Sequence, residues 1–217
     1  VISYKNREII GSNLNAHSLN GEIAGGFTLT EPISNNLKLV SNIAAKQINI
    51  RNSFDAFNNY GQTFITKEQL KGVGTAEINI ESHWKPDFVL DAKKLKVTSH
   101  LIIEKGELID FKPLENLSSY VSLDELKHVK FSTLENTINV ANELITIPIM
   151  EIKSSALSVF LSGTHTFNQE INYEVTLLLS ELLSASFRKK NTKITAFGEE
   201  TQDGKIFNTV YFKMTGN

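Results

Sequence analysis

The 217-residue sequence contains no cysteine, which excludes disulfide bonds and thiol catalysis and leans towards an envelope compartment. It has a single tryptophan, Trp84, which is thin for a sugar-binding cleft. Its 22 basic side chains nearly balance 24 acidic ones, so it lacks the positive surface that phosphate binding requires, and we expect no nucleic-acid partner. No apolar run approaches the roughly 18–20 residues of a membrane helix.

Motifs for catalysis and metal binding are missing as well. The sequence has no G-x-S-x-G elbow for a nucleophilic serine. Its histidines are scattered: His17, His83, His100, His128 and His165. A zinc site assembled from distant strands is an alternative, but exposed or hydrogen-bonded strand histidines are the more common case. We therefore expect no metal, no cofactor and no enzymatic activity, with a hydrolase on a β scaffold as a remote alternative.

What the sequence has in abundance is period-two alternation of apolar and polar residues, which is typical of half-buried strands. The alternation is clearest at 76–81, 157–162 and 171–180. Further strand-like runs lie near 21–29, 36–48, 96–104, 106–111, 129–139, 143–147 and 205–214. Turn signals recur about every ten residues, at Leu19-Asn20-Gly21, Lys105-Gly106, Ser162-Gly163 and Gln202-Asp203-Gly204. The pattern predicts a mainly β fold: a long curved antiparallel sheet, forming an open groove or partly closed, with a few short helices.

Helical signals are few and short. Residues 50–61 place Ile50, Phe54 and Phe57 on one face, with Gly61 as the expected C-terminal cap. Three further helical turns are expected near Pro113, after a capping box at Ser122–Glu125 that precedes Leu126 and Val129, and over 180–190. The glycines of Gly72-Val73-Gly74 are read as a bulge or tight turn.

The alternation defines a candidate apolar surface. We expect one continuous face to contain Ala76, Ile78, Ile80, Leu157, Val159, Leu161, Ile171, Tyr173, Val175, Leu177 and Leu179. The helix bearing Phe54 and Phe57 is the candidate plug for one opening of that surface. The basic cluster Arg188, Lys189 and Lys190 is either a solvated helix end or a contact for anionic lipid headgroups.

Three stretches carry a family resemblance. They are "LKGVGTAEINIESHW", "IIEKGELIDFKPLENLSSYV" and "HVKFSTLENTINVANELITIPIMEIKSSALSVFLSGTH". Together they resemble the C-terminal region of the AsmA-like family of Gram-negative envelope proteins, over about residues 70–183. One departure is Asn142-Glu143, which stands where family members commonly have a glycine turn.

The resemblance implies a location and a role. Family members are anchored in the inner membrane, project into the periplasm and are related to TamB-like and bridge-like lipid-transfer proteins. It therefore implies a periplasmic module that handles phospholipid, by transfer between membranes or by outer-membrane maintenance, with the eleven apolar residues above as its lipid-facing lining. Envelope proteins are further expected partners. The family motif contains no catalytic residues.

The chain begins "VISYKNREII" inside a strand-like segment without methionine, so we expect a single elongated domain over 1–217 cut from a longer protein. The resemblance implies that this longer protein is membrane-anchored. The alternative function is a structural or protein-binding β-module of the envelope. The substitution Leu177→Asp distinguishes an open groove from a closed core, because an aspartate at this position should be tolerated only in an open groove. The sequence favours the groove.

Overall fold

The computed structural model describes residues 1–31, 36–117, 123–154, 157–179, 198–202 and 205–216. Their twelve strands are β1 Ile2–Lys5, β2 Glu8–Ser18, β3 Gly21–Thr30, β4 Leu37–Asn49, β5 Leu70–Trp84, β6 Lys96–Ile109, β7 His128–Ala141, β8 Leu144–Lys153, β9 Leu157–Thr166, β10 Ile171–Leu179, β11 Gly198–Gln202 and β12 Lys205–Gly216. They form one antiparallel sheet in the order β1 to β10, then β12, then β11, and the sheet does not close. The mainly β prediction is confirmed.

The helices are short and occupy connections between strands. The two α-helices are α1, Ile50–Ala56, and α2, Leu123–Lys127, and the 3₁₀ turns are Asn58–Gly61, Ala92–Lys94 and Lys112–Leu117. Helix α1 begins where the Asn49 side chain accepts a hydrogen bond from Asn52 N at 3.0 Å. Among the described residues no helix is long and apolar enough to cross a membrane.

Three of the four helical predictions are confirmed in part. The fourth concerns residues outside the described part of the chain. Helix α1 and the turn near Pro113 form as expected, but Gly61 does not cap α1, which ends at Ala56. Helix α2 follows the capping-box sequence, whereas Val129 belongs to β7 rather than to the helix. The helix expected over 180–190 and the turn expected at 203–204 lie outside the described residues.

Tight turns connect several strands without glycine at their centres. In the β2–β3 turn, Leu19 and Asn20 both have positive φ, at 55° and 64°. The β7–β8 turn repeats this arrangement with Asn142 at 52° and Glu143 at 61°. Two successive positive φ angles give a turn whose twist matches that of the flanking strands. Asn142-Glu143 therefore makes this turn without glycine.

Two predicted turns are wrong, because both lie inside strands. Gly106 is in the middle of β6 and pairs with Phe131 of β7, and Gly163 is in β9 and pairs with Tyr173 of β10. A Cβ atom added at Gly106 would lie 1.9 Å from Phe131 Cε2, and one added at Gly163 would lie 2.4 Å from Tyr173 Cδ1. These glycines are needed because an aromatic ring from the neighbouring strand lies over them.

Bulges bend four of the strand pairs. The register shifts between Gly11 and Leu14, between Ala45 and Ile48, between Lys71 and Val73, and between Ile147 and Met150. The third shift confirms the bulge predicted at Gly72, whose φ is +148°. Because a bulge increases the local twist of a strand, these shifts help the sheet to curl.

The register divides the sheet into two faces. Residues directly opposite each other on paired strands share a face, so one face can be followed from strand to strand. On the apolar face, as we name it, Ile23 pairs with Ala45, Ala45 with Ala76 and Ala76 with Leu101. Ile103 also belongs to this face and is buried in a cluster with Ile50, Leu70 and Phe131.

The opposite, polar face carries a ladder of uncharged side chains. One row of directly paired positions crosses β4, β5, β6, β7, β8, β9, β10 and β12, and every member is an asparagine or a threonine: Asn42, Asn79, Thr98, Asn139, Thr146, Thr164, Asn172 and Thr215. Thr98 Oγ1 donates to Asn139 Oδ1 at 3.1 Å within this row. None of the bulges breaks the row, which we call the Asn/Thr ladder.

Candidate functional site: an apolar cavity on the concave face

Strands β5 to β10 and β12 curl around a cavity of about 380 Å³. A flat sheet would spread these seven strands over roughly 29 Å, at about 4.8 Å for each step, so lining one cavity of this size requires strong curvature. Its walls are Phe64, Ile65, Leu70, Ile103, Leu108, Phe111, Leu114, Val129, Phe131, Leu134, Met150, Ile152, Ser154, Val159, Leu161, Val175, Leu177, Lys213 and Met214. The apolar face is therefore concave here.

The register places all eleven candidate lining residues on the apolar face. In β5, Ala76, Ile78 and Ile80 stand opposite Leu101, Ser99 and Val97 of β6. In β9 and β10 the remaining eight pair with one another or with Gly163 and His165: Leu157 with Leu179, Val159 with Leu177, Leu161 with Val175, Tyr173 with Gly163 and Ile171 with His165. One surface contains both groups of residues.

Only part of that surface lines the cavity. Val159, Leu161, Val175 and Leu177 are in its wall, and Leu177 is only 1% exposed. Ala76, Ile78, Ile80, Ile171 and Tyr173 lie on the same face beyond the cavity wall. For Leu157 and Leu179 the backbone position is described but the side chains are not.

A segment between α1 and β5 crosses the apolar face and covers the cavity. We call this segment, residues 57–69, the strap. Its Phe64 ring lies 5.3 Å from the ring of Phe111 in the β6–β7 connection and 5.4 Å from that of Tyr173 in β10. Burial raises the pKa of the Tyr173 phenol above its usual 10.0, so this part of the apolar face beside the cavity is uncharged.

The aromatic ring that covers the cavity is thus Phe64, not the two predicted from the helix. Phe57 is 57% exposed and stacks on Tyr60, with ring centroids 5.3 Å apart, so it is not a plug. Phe54 packs beside the buried cluster of Ile50 and Leu70. Phe64 lies in "QTFIT", which has no helical or strand periodicity, so only its aromatic character could have marked it in the sequence.

Two polar groups on the apolar face make contacts that hold the fold. Asn136 Nδ2 donates to Pro148 O at 2.9 Å, which holds the bulge in β8. Trp84 Nε1 donates to Ser82 Oγ at 2.9 Å. Among the described residues Lys213 is the one charged residue in the cavity lining, and its pairing with Glu174 places it on the polar face. This arrangement offers surface for a hydrocarbon chain and no paired acid and base at the cavity.

Two clusters of ion pairs lie on the polar face. Glu107 accepts a hydrogen bond from His128 Nδ1 at 2.9 Å and pairs with Lys71 at 3.3 Å, and together these hold the pKa of its carboxyl below the usual value. Glu81 has the same kind of neighbours in Lys38 and His83, and its pKa is lowered in the same way. The sheet therefore separates charge from hydrocarbon across its thickness.

Two further expectations concern metal and lipid headgroups. Within the part of the chain that the structure describes, no group of three or more candidate ligands lies close enough to hold a metal ion. The basic cluster Arg188, Lys189 and Lys190 lies outside the described residues.

Comparison with known proteins adds no relative. No protein-family model matches the chain, and searches of curated proteins and of solved structures also found no match.

Proposed function

We propose that the protein is a non-enzymatic module that binds the acyl chains of phospholipids, in lipid transfer between membranes or in outer-membrane maintenance. The observation that carries the proposal is the apolar cavity of about 380 Å³ on the concave face. The resemblance to AsmA-like proteins covers about residues 70–183, a stretch that contains all of β5 to β10. On this proposal the module works in the periplasm, and its parent protein is anchored in the inner membrane.

The physical basis is that an acyl chain needs shielding from water rather than specific chemistry. A methylene takes up about as much space as a water molecule in the liquid, ~30 Å³, so the cavity matches about a dozen methylenes. Burial contributes about 0.8 kcal/mol for each methylene, against an association cost of at least ~4 kcal/mol. Binding on this scale is reversible, as a carrier requires.

Native mass spectrometry of gently purified protein tests the proposal. We expect co-purifying phospholipid or fatty acid, and uptake of a fluorescent phospholipid by the delipidated protein. Met150→Arg would place a charge in the cavity wall and should abolish uptake, whereas the matched change Ile149→Arg, at an exposed position one residue away, should not. Equal uptake by both variants would contradict the proposed site.

A second candidate function is a protein-binding β-module, and the opposite end of the sheet favours it. β1 is an edge strand, and its residues Ile2 and Tyr4 are exposed on the apolar face. An edge with unpaired backbone groups can add a strand from a partner. A lipid-free mass in every preparation, together with loss of partner binding in Tyr4→Lys, would favour this function over the first.

A further inference from the structure

The strap is fixed firmly at the end nearest α1 and β5. Lys67 N donates to Asn59 Oδ1 at 2.9 Å, and Thr66 N donates to Gln69 Oε1 at 2.9 Å. Lys67 also forms an ion pair with Asp55 of α1. The Asn59–Lys67 contact connects the two ends of the strap. The strap is therefore a loop attached to a single side of the cavity.

The strap begins in a left-handed turn. Asn58, Asn59, Tyr60 and Gly61 have φ angles of 48°, 52°, 56° and 70°. Asparagine and glycine tolerate this conformation, but a bulky residue such as Tyr60 adopts it rarely and at an energetic cost. Tyr60 is held there by Phe54 and Phe57, whose rings lie 5.2 and 5.3 Å from its own. A strained turn at the base of a loop is a natural hinge.

The middle of the strap is held by side-chain packing. Phe64 contacts the rings of Phe111 and Tyr173, and Ile65 packs against the buried cluster that contains Ile103. At the base of the strap, Gln169 Nε2 of the β9–β10 turn donates to Gly61 O at 2.9 Å. Apart from this one exposed hydrogen bond, the contacts described here between the strap and the far side of the cavity are those of the Phe64 ring.

We propose that the strap is a lid, and that Phe64 occupies part of the acyl site and leaves it when a long acyl chain enters. The inference rests on the proposed function and adds how the site is controlled. With the lid closed the cavity accommodates about a dozen methylenes. A longer chain, or the second chain of a phospholipid, needs the volume that the Phe64 ring fills, so entry requires that ring to move out.

A tryptophan introduced by Phe64→Trp reports the movement directly. The natural Trp84 is first replaced, Trp84→Phe, so that Phe64→Trp supplies the one indole. In the delipidated protein we expect blue-shifted emission from an indole buried against Phe111 and Tyr173. Addition of oleic acid should shift the emission to the red as the ring moves into water. Calorimetry on the same sample measures whether oleic acid binds.

Phe57→Trp in the same background is the matched control. Phe57 is in the strap but exposed, so an indole in its place should emit in the red with and without oleic acid. Oleic acid that binds by calorimetry while the Phe64→Trp variant keeps its blue-shifted emission would overturn the lid. Absence of binding heat would overturn the proposed function and the lid with it, and calorimetry separates these two failures.

Gln169→Ala tests the lid without altering the cavity wall. Loss of the hydrogen bond to Gly61 should raise the open fraction, and with it the oleic acid association rate, by roughly two- to tenfold. Phe88→Ala, at an exposed position in the β5–β6 connection, should leave the rate unchanged. The association rate is measured by stopped-flow fluorescence. An unchanged rate in Gln169→Ala would contradict the proposal that the Gln169–Gly61 hydrogen bond holds the strap closed.

Discussion

The two ends of the sheet follow the same pattern but have different surroundings. In β1 and β2 the apolar face is open, with Tyr4 73% and Ile9 37% exposed, whereas in β6 and β10 Ile103 and Tyr173 are 5% and 4% exposed. The difference comes from the connections. The β1–β2, β2–β3 and β7–β8 turns have two residues each, but the β4–β5 and β6–β7 connections are long and contribute Phe64, Phe111 and Leu114 to the cavity lining. Alternation thus creates an apolar face, and the long connections decide which part of it is buried.

The largest expected effect comes from placing the same charge at both ends. Leu177→Asp should destabilise the protein by several kcal/mol, because a carboxylate at a position 1% exposed has neither water nor a partner. Ile9→Asp, on the same face but 37% exposed, should cost less than about 1 kcal/mol. The free energies of unfolding from urea titration give both values.

This expectation revises the one drawn from the sequence, which favoured an open groove that tolerates Leu177→Asp. Leu177 is sealed from water, so the groove at this strand is covered. Similar losses in the free energy of unfolding of Leu177→Asp and Ile9→Asp would show that the two ends of the apolar face do not differ in burial.

A second pair of variants compares glycines that lie under aromatic rings. Gly106 is covered by the buried Phe131, and Gly11 is covered by the less buried Phe27, where an added Cβ atom would lie 2.4 Å from Phe27 Cε1. Gly106→Ala should destabilise by about 1–3 kcal/mol, because the Phe131 ring is buried and an added Cβ atom would lie 1.9 Å from it. Gly11→Ala should cost less, since Phe27 has room to rotate. The losses in melting temperature of the two variants are compared by thermal unfolding. A larger loss in Gly11→Ala would mean that side chains are packed more closely at the β1–β2 end.

The smallest effect concerns pH. The pKa of the Glu107 carboxyl is lowered in the folded state, mainly by the hydrogen bond from His128, so its contribution is present above the usual 4.5 and lost as pH falls through the folded value. Glu107→Gln should therefore cost less than about 1 kcal/mol near neutral pH and nothing in strong acid. Glu81→Gln, at the ion pair with Lys38, should show the same direction with a smaller change, because the Glu81 side chain is 34% exposed against 19% for Glu107. A cost that stays constant from neutral to acid pH would rule out the linkage.

Much of the sheet could be predicted from local pattern. Period-two alternation placed Ala76, Val159 and Val175 on a common face, and the register confirms that they share it. The bulge at Gly72 followed from glycine spacing, since few other residues accept that backbone. These features depend on a residue and its near neighbours, which the sequence displays.

The errors arose where a distant residue decides the structure. Gly106 and Gly163 resemble turn glycines locally, but the rings of Phe131 and Tyr173 across the strand pair explain them. Phe64 was missed because its position depends on Phe111 and Tyr173, which are far away in the sequence. Contacts of this kind require the three-dimensional arrangement of the strands.

The strand order has a consequence for how such a protein folds and changes in length. Except for the exchange of β11 and β12, each described strand pairs with the strands before and after it in the chain. Hairpins can therefore form locally and add to a growing sheet one at a time, with a small loop-closure cost at each step. Cooperativity should spread between neighbours, as in repeat proteins. A hairpin gained or lost at the β1 edge would lengthen or shorten the sheet by about 10 Å and leave the cavity unchanged.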